Sequence, residues 1–344
     1  LIDWAISSNL ASITTDCPTR EKLGWQEQNH LMAYSMMYRY DMQELMNKIV
    51  DDLADSQHDD GAIPTIAPEY TLFAQGSGFE DTPEWGASFI LCPYYNYIWY
   101  GDDSAMRRHY DAMKRYIDYL QSRTQGNILD YGLGDWFDVG PNRPGVAQLP
   151  SVAFSATAMS HYELCVMSNI AHLLGKDDDA QRFSRMADNV KQAFNARFWN
   201  QKLQQYEQGS QTASAMALFM QLTTDANRSK VLQSLVDDII MPIVSLATGA
   251  VNFSDLFVSL NGEKYASLAA AKEAGAAVFA YGNFIQTVVN FLIIAFCIFM
   301  VVKAINKLKK PEPVAAPATK VCPFCKSEVN IEATKCAFCA SELK

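Results

Sequence analysis

At 344 residues the chain has room for two domains, and 49% apolar with 12% aromatic residues exclude a disordered polymer. Its formal charge of -10 hides a break, because the ten lysines after residue 238 outnumber seven acids, whereas residues 1–238 carry 18 basic against 31 acidic side chains. An acidic front repels phosphate backbones, which argues against nucleic acid as a partner and suits neutral carbohydrate.

The chain opens on Leu1, with no initiator Met and no charged-then-apolar leader, so the expectation is a fragment at its N-terminus. Apolar residues at three- and four-residue spacing predict helices over 29–55, 86–100, 103–123, 153–174, 177–197, 211–221 and 226–238. Ser, Asp and Asn precede several of them, as Asp103 precedes Ser104, and no alternating run predicts a strand between them. The predicted class is all-α.

Polar chemistry gathers in the loops, where acid stands beside Trp at Glu80-Asp81-Thr82-Pro83-Glu84-Trp85 and again at Gly134-Asp135-Trp136. Sugar sites use that pair, since a C–H face stacks on an indole while hydroxyls bond carboxylates. A structural reading stands beside this one: Asp81 caps a helix opening at Pro83, and the Trp rings fill the core. The five histidines, His30, His58, His109, His161 and His172, show no metal-ligand spacing.

A third segment, Asp16-Cys17-Pro18-Thr19-Arg20-Glu21-Lys22-Leu23-Gly24-Trp25-Gln26-Glu27-Gln28, closely resembles the signature of the α-L-rhamnosidases of glycoside hydrolase family 78. The Glu80–Gly86 segment, Tyr100-Gly101-Asp102 and Gly134-Asp135-Trp136 resemble later landmarks of that family in the same order, over about residues 1–238. The resemblance implies an (α/α)6 toroid that cleaves terminal L-rhamnose from a glycoside or polysaccharide with inversion. It makes Glu21 the general acid, has Asp16 and Arg20 orient sugar and acid, and has Trp25, Gln28, Asp81, Trp85, Asp135 and Trp136 bind the sugar. Gln28 replaces a position often acidic in the family. Inversion needs two carboxyl groups about 6.5–9.5 Å apart. The family draws its general base from a late Glu that lies beyond the stretch matched here, so the toroid is expected to be incomplete and the base absent.

After Ile239 the chemistry changes. Residues 283–302 form a run of 20 without a charge, followed by Lys303, Lys307, Lys309 and Lys310. At about 1.5 Å per residue such a run spans about 30 Å of hydrocarbon, and the lysines put its end in the cytoplasm. Leu235–Pro242, Asn252–Phe257 and Tyr281–Phe296 resemble the large-conductance mechanosensitive channel of bacteria, over about 235–310. That resemblance implies an inner-membrane subunit of a homopentameric, tension-gated pore in a lipid bilayer, although the helix that narrows the family's pore is replaced here. The front domain's side of the membrane stays open.

Four of the eight cysteines, Cys17, Cys92, Cys165 and Cys297, are scattered, which argues against a secreted cystine scaffold. The others follow a Pro/Ala linker, 311–319, in two knuckles, Cys322-Pro-Phe-Cys325 and Cys336-Ala-Phe-Cys339, separated by ten residues. Four thiolates so arranged predict a structural Zn²⁺ ribbon over 320–344, with two disulfides as the alternative. No cofactor is expected for catalysis. The predicted order is therefore a truncated rhamnosidase-like domain (1–238), a channel-like membrane segment (239–310), a linker and a zinc ribbon. Three functions are expected from it: a rhamnosidase-like hydrolase short of its base, a truncated channel subunit, or a fusion in which neither half works.

Overall fold

The computed structural model describes residues 1–240, 256–260, 265, 274–282, 288, 303, 319–330 and 332–343, and the chain divides into two compact units, Leu1–Pro242 and Ile243–Lys344. In the first unit the order is α1 (Ile2–Asn9), α2 (Glu27–Leu31), α3 (Ala33–Met37), α4 (Gln43–Asp55), α5 (Pro83–Gly86), α6 (Ser88–Tyr100), α7 (Ser104–Ser122), α8 (Val152–Leu173) and α9 (Asp177–Phe198). A short hairpin, β1 (Trp199–Asn200) and β2 (Gln205–Tyr206), comes next, then α10 (Gln211–Phe219), α11 (Asp225–Leu235) and a π-turn at Val236–Ile240.

The long hairpin of α8 and α9 shows how the sequence writes this fold. Ser151 accepts from the Phe154 amide at 3.2 Å and starts α8, and Gly175, at φ +71°, lets the chain reverse. The α9 helix opens on Asp177, Asp178 and Asp179 at its positive end. Its buried residues Ala180, Phe183, Ala187, Val190, Phe194 and Phe198 recur every three or four positions, so one stripe of α9 packs on α8. Phe194 meets Phe154 with ring centroids 4.8 Å apart and Phe198 at 4.9 Å. The α6 helix is apolar around its whole girth and lies buried against α4 and α8. Gly101, at φ +74°, ends it.

Two expectations about elements are corrected. The helix predicted over 29–55 is three helices, because the Met42 amide donates to the Tyr100 hydroxyl at 2.9 Å and α4 restarts at Gln43. The stretch after α9, read as strandless, holds the β1–β2 hairpin. Asn200 closes it by accepting from the Lys202 and Leu203 amides at 3.1 and 3.2 Å. The strands are too short for alternation to be visible in sequence.

In the second unit, β3 (Val258–Ser259) pairs antiparallel with β4 (Val278–Phe279), and β5 (Thr319–Val321) with β6 (Glu328–Asn330). The predicted membrane span 283–302 lies, apart from Val288, outside the described residues. Among the described residues no helix is long and apolar enough to cross a membrane.

Candidate active site

The Asp16–Gln28 segment runs across the first unit as a strap. Trp25 bridges to Ile66, the Gln26 amide donates to Thr65 O at 2.9 Å, and the Ala67 amide donates to Gly24 O at 3.1 Å. Only glycine fits at position 24, since a Cβ there would stand 2.7 Å from Ala67 O. Held this way, Asp16, Arg20, Glu21, Trp25 and Gln28 line a cavity of about 600 Å³, a volume suited to a small sugar. Trp85 and Trp136 line the same cavity from α5 and from the segment before α8.

Glu21 is fixed from two sides. Arg20 Nη2 donates to its Oε1 at 3.1 Å and Trp25 Nε1 to its Oε2 at 3.2 Å. Its own amide donates to Cys17 Sγ at 3.1 Å, and an Asp16 oxygen, the Cys17 sulfur and a Glu21 oxygen lie within 4.8 Å of one another. The Glu21 side chain is 38% exposed and Arg20 80%, so their ion pair orients the carboxylate more than it stabilises the fold. Aromatic rings form a wall: Trp25 stacks on Phe73 at 5.3 Å, and Phe79 meets Trp136 edge-on at 5.2 Å. Phe79 and Phe137 line the cavity although sequence reading did not single them out.

Glu27 was also passed over. It lines the cavity, and its carboxyl is pushed up to about 8, by burial first and then by the charges of Glu84 and Asp135. Asp135 is half-buried and raised chiefly by burial, against a bond from Thr212. Its approach depends on Gly134, at φ +69°, where a Cβ would sit 2.6 Å from the Ala147 side chain. Glu84 is buried and raised by the same cause, with Thr82 Oγ1 donating to it at 3.0 Å.

Asp81 lies elsewhere. It lines a separate cavity of about 500 Å³ with Glu80, Tyr119, Arg123 and Tyr131. Tyr119 Oη donates to Asp81 at 2.7 Å, and the Arg123 guanidinium stacks over the Tyr131 ring at 4.2 Å. Asp81 therefore pins the segment before α5, where Thr82 is the cap position and makes no side-chain cap bond. Among the histidines, His30 is buried with Nε2 2.9 Å from Glu84 O, and burial holds it down to about 4.

In the second unit the two cysteine knuckles repeat one geometry. The Cys322 amide donates to Ser327 O and the Lys326 amide to Cys322 O, and Cys336, Ser341 and Ala340 do the same, every bond at 2.9 Å. Cys322 lies 3.8 Å from Cys339 and Cys325 3.6 Å from Cys336, sulfur to sulfur. A tetrahedral ion with Zn–S near 2.3 Å needs sulfurs about 3.8 Å apart. The four thiols are free; hydrogen bonds with Ser327 lower Cys325 to about 6 and those with Ser341 lower Cys339, whereas Cys336, beside the Cys325 and Cys339 sulfurs, is pushed up to about 11. The donor set fits a soft divalent metal.

The first unit is helical, with a largely apolar, indole-walled cavity among its loops that also holds carboxylates, and comparison with known proteins gives its family. Residues 1–281 match the family described as the bacterial alpha-L-rhamnosidase six-hairpin glycosidase domain. The α-L-rhamnosidase of Dictyoglumus thermophilum superposes with TM-score 0.63 at 30% identity, over 70% of this chain and 27% of that one. That of Streptomyces avermitilis, solved with L-rhamnose, superposes at 0.62 and 24% identity, over 80% and 27%. The chain thus spans about a quarter of the length of these rhamnosidases.

A large-conductance mechanosensitive channel of Trichlorobacter lovleyi is 46% identical over 142 residues, which are 41% of this chain and 97% of the channel. One from Chromobacterium violaceum is 50% identical over 121 residues, 33% and 79%. The chain belongs to the six-hairpin glycosidase family through residues 1–281 and also to the large-conductance mechanosensitive channels, so it is a chimera of the two.

Proposed function

We propose that the first unit is an inverting, rhamnosidase-like glycoside hydrolase domain for terminal L-rhamnose, with Glu21 as the general acid and no general base of its own. The single observation that carries this reading is the convergence of Asp16, Arg20, Glu21, Trp25, Gln28, Trp85 and Trp136 on one sugar-sized cavity. Arg20 and Asp16 orient Glu21 and the sugar, while the three indoles supply faces for C–H stacking. Asp135 acts on the site from beside Glu27, and Asp81 holds the segment that delivers Trp85. An inverting site also needs a carboxylate across the ring to take a proton from water. The resemblance places that base beyond the matched stretch, and Glu27, pushed up to about 8 by burial and by Glu84 and Asp135, is a neighbour of Glu21 in the same motif. The incomplete toroid therefore binds rhamnose without turning it over, and loss of one member of such a pair costs at least about 10²-fold in rate.

The test is paired. The full chain is expected to bind L-rhamnose, read by tryptophan fluorescence, and to leave an aryl α-L-rhamnoside uncleaved. Robust cleavage abolished by Glu21→Gln would overturn the missing base, and absence of rhamnose binding would overturn the sugar site.

A second reading is favoured by the near-complete channel match. In it 239–310 is a membrane segment, with 283–302 as its helix, that places the chain in a bacterial inner membrane and associates with copies of itself. The tail, 320–344, then lies in the cytoplasm and carries one structural Zn²⁺ on Cys322, Cys325, Cys336 and Cys339. The two readings meet in a fusion in which neither half completes its function.

A further inference from the structure

The cysteine tail keeps its two phenylalanines outside. Its core is Cys322, Val329, Cys336 and Leu343 with Ala333 packed against them, whereas Phe324 is 68% exposed and Phe338 71%. A module of this size has little apolar surface to bury, so leaving both rings in water works against its own folding. Each ring holds the same place, one residue before the second cysteine of a knuckle, and the sulfurs of the two knuckles approach to 3.8 and 3.6 Å. The knuckle tips therefore stand at one end of the ribbon. Pro323 and Ala337, also exposed, fill the position before each ring, so neither tip has a polar side chain between its cysteines. An exposed lysine sits beside each knuckle, Lys326 after Cys325 and Lys335 before Cys336.

We propose that the paired tips are a membrane-docking surface, with Phe324 and Phe338 inserting among the lipids of an anionic bilayer while Lys326 and Lys335 meet its headgroups. Aromatic rings beside lysines suit the boundary between acyl chains and headgroups, where apolar area and positive charge both contribute. A protein partner fits this surface less well. A stable protein interface takes about 800 Å² from each side, and two phenylalanines supply about 300–500 Å². For a bilayer a weak contact suffices, because the chain holds the ribbon beside one. This step rests on the reading of 283–302 as a membrane helix. Fully extended, the chain from 302 to 319 reaches at most about 60 Å. It includes Lys307, Lys309 and Lys310, which favour the same anionic surface. Such a tether keeps the tips at a high effective concentration against the headgroups.

The experiment places the zinc-loaded full chain in nanodiscs of phosphatidylglycerol and phosphatidylcholine in equal parts, with or without bromine on the acyl chains as a quencher of indole fluorescence. F324W and F338W each add an indole at one tip, and the six tryptophans of the wild type give the background to subtract. The added emission is expected to fall at least about twofold in the brominated discs, and to fall less in discs of phosphatidylcholine alone. A second measurement needs no substitution. Chymotrypsin should cut the wild type after Phe324 and Phe338 about tenfold more slowly in the anionic discs than in phosphatidylcholine discs, since tethered tips are mostly inserted. Equal emission with and without bromine, or equal cutting in the two lipids, overturns the proposal. Protection that arises only in discs holding two chains assigns the tips to a second copy and overturns it as well. A chain that elutes free of the discs overturns the membrane span instead, and the same lipids added as vesicles then decide the tips by the same quenching.

Discussion

Five carboxyl groups of the first unit, Glu27, Asp81, Glu84, Asp135 and Glu163, are raised, and burial leads the cause in each. Glu27 is pushed up to about 8, Glu84 is raised, and Glu163, wholly buried in α8, is raised well above its ordinary value. Such an acid keeps a proton in the folded chain that the unfolded chain has released. Its contribution to stability is complete below the unfolded value and is lost as pH rises through the folded one. For Glu27 that window runs from 4.5 to about 8. The buried imidazoles of His30 and His161, both held down to about 4, act in the opposite sense and lose stability as pH falls below 6.5. Above that pH these acids act without opposition from the histidines. The unfolding free energy from urea titration is therefore expected to fall from about pH 6.5 to about pH 8, and Glu27→Gln should flatten that slope by about 1.4 kcal/mol per pH unit. An unchanged slope would show that Glu27 does not titrate there. At this scale Glu21 was legible, because its motif is a local string. Glu27 sits in the same string yet was not, because its burial and its acidic neighbours arrive from α5 and from the segment before α8.

Elements were legible where their signals are local. Ser151 and Ser210 cap α8 and α10 by accepting from the Phe154 and Ala213 amides, at 3.2 and 3.1 Å. Ser151→Ala is expected to cost about 1 kcal/mol in urea unfolding. The helix broken at Met42 was not legible, because the hydroxyl that takes its amide belongs to Tyr100 at the end of α6. The cysteine knuckles are also local. Each turns through a residue at positive φ, Lys326 at 62° and Ala340 at 57°. Their sulfur spacing supports the zinc proposal, so the full chain should retain one Zn²⁺ under reducing conditions and lose tight uptake with Cys336→Ser. Wild-type protein that takes up no stoichiometric zinc would sink that assignment.

At the scale of the molecule, the two families meet in one chain and place different demands on it. If 283–302 spans a bilayer as proposed, the chain should remain with the membrane pellet through alkaline carbonate extraction, and its release would rule the span out. The sequence by itself determined which families join, the helical class of the front, the motif that carries Glu21 and the paired knuckles at the end. Each of these is carried by a contiguous string or a short period, and adjacency in the chain is enough to write it. Only the tertiary structure decided that Asp81 lines another cavity than Glu21, that Phe79 and Phe137 join the aromatic wall, and that burial and acidic neighbours raise Glu27 beside it. Those outcomes depend on desolvation and on charges from segments distant in sequence, quantities that exist only once the helices have packed.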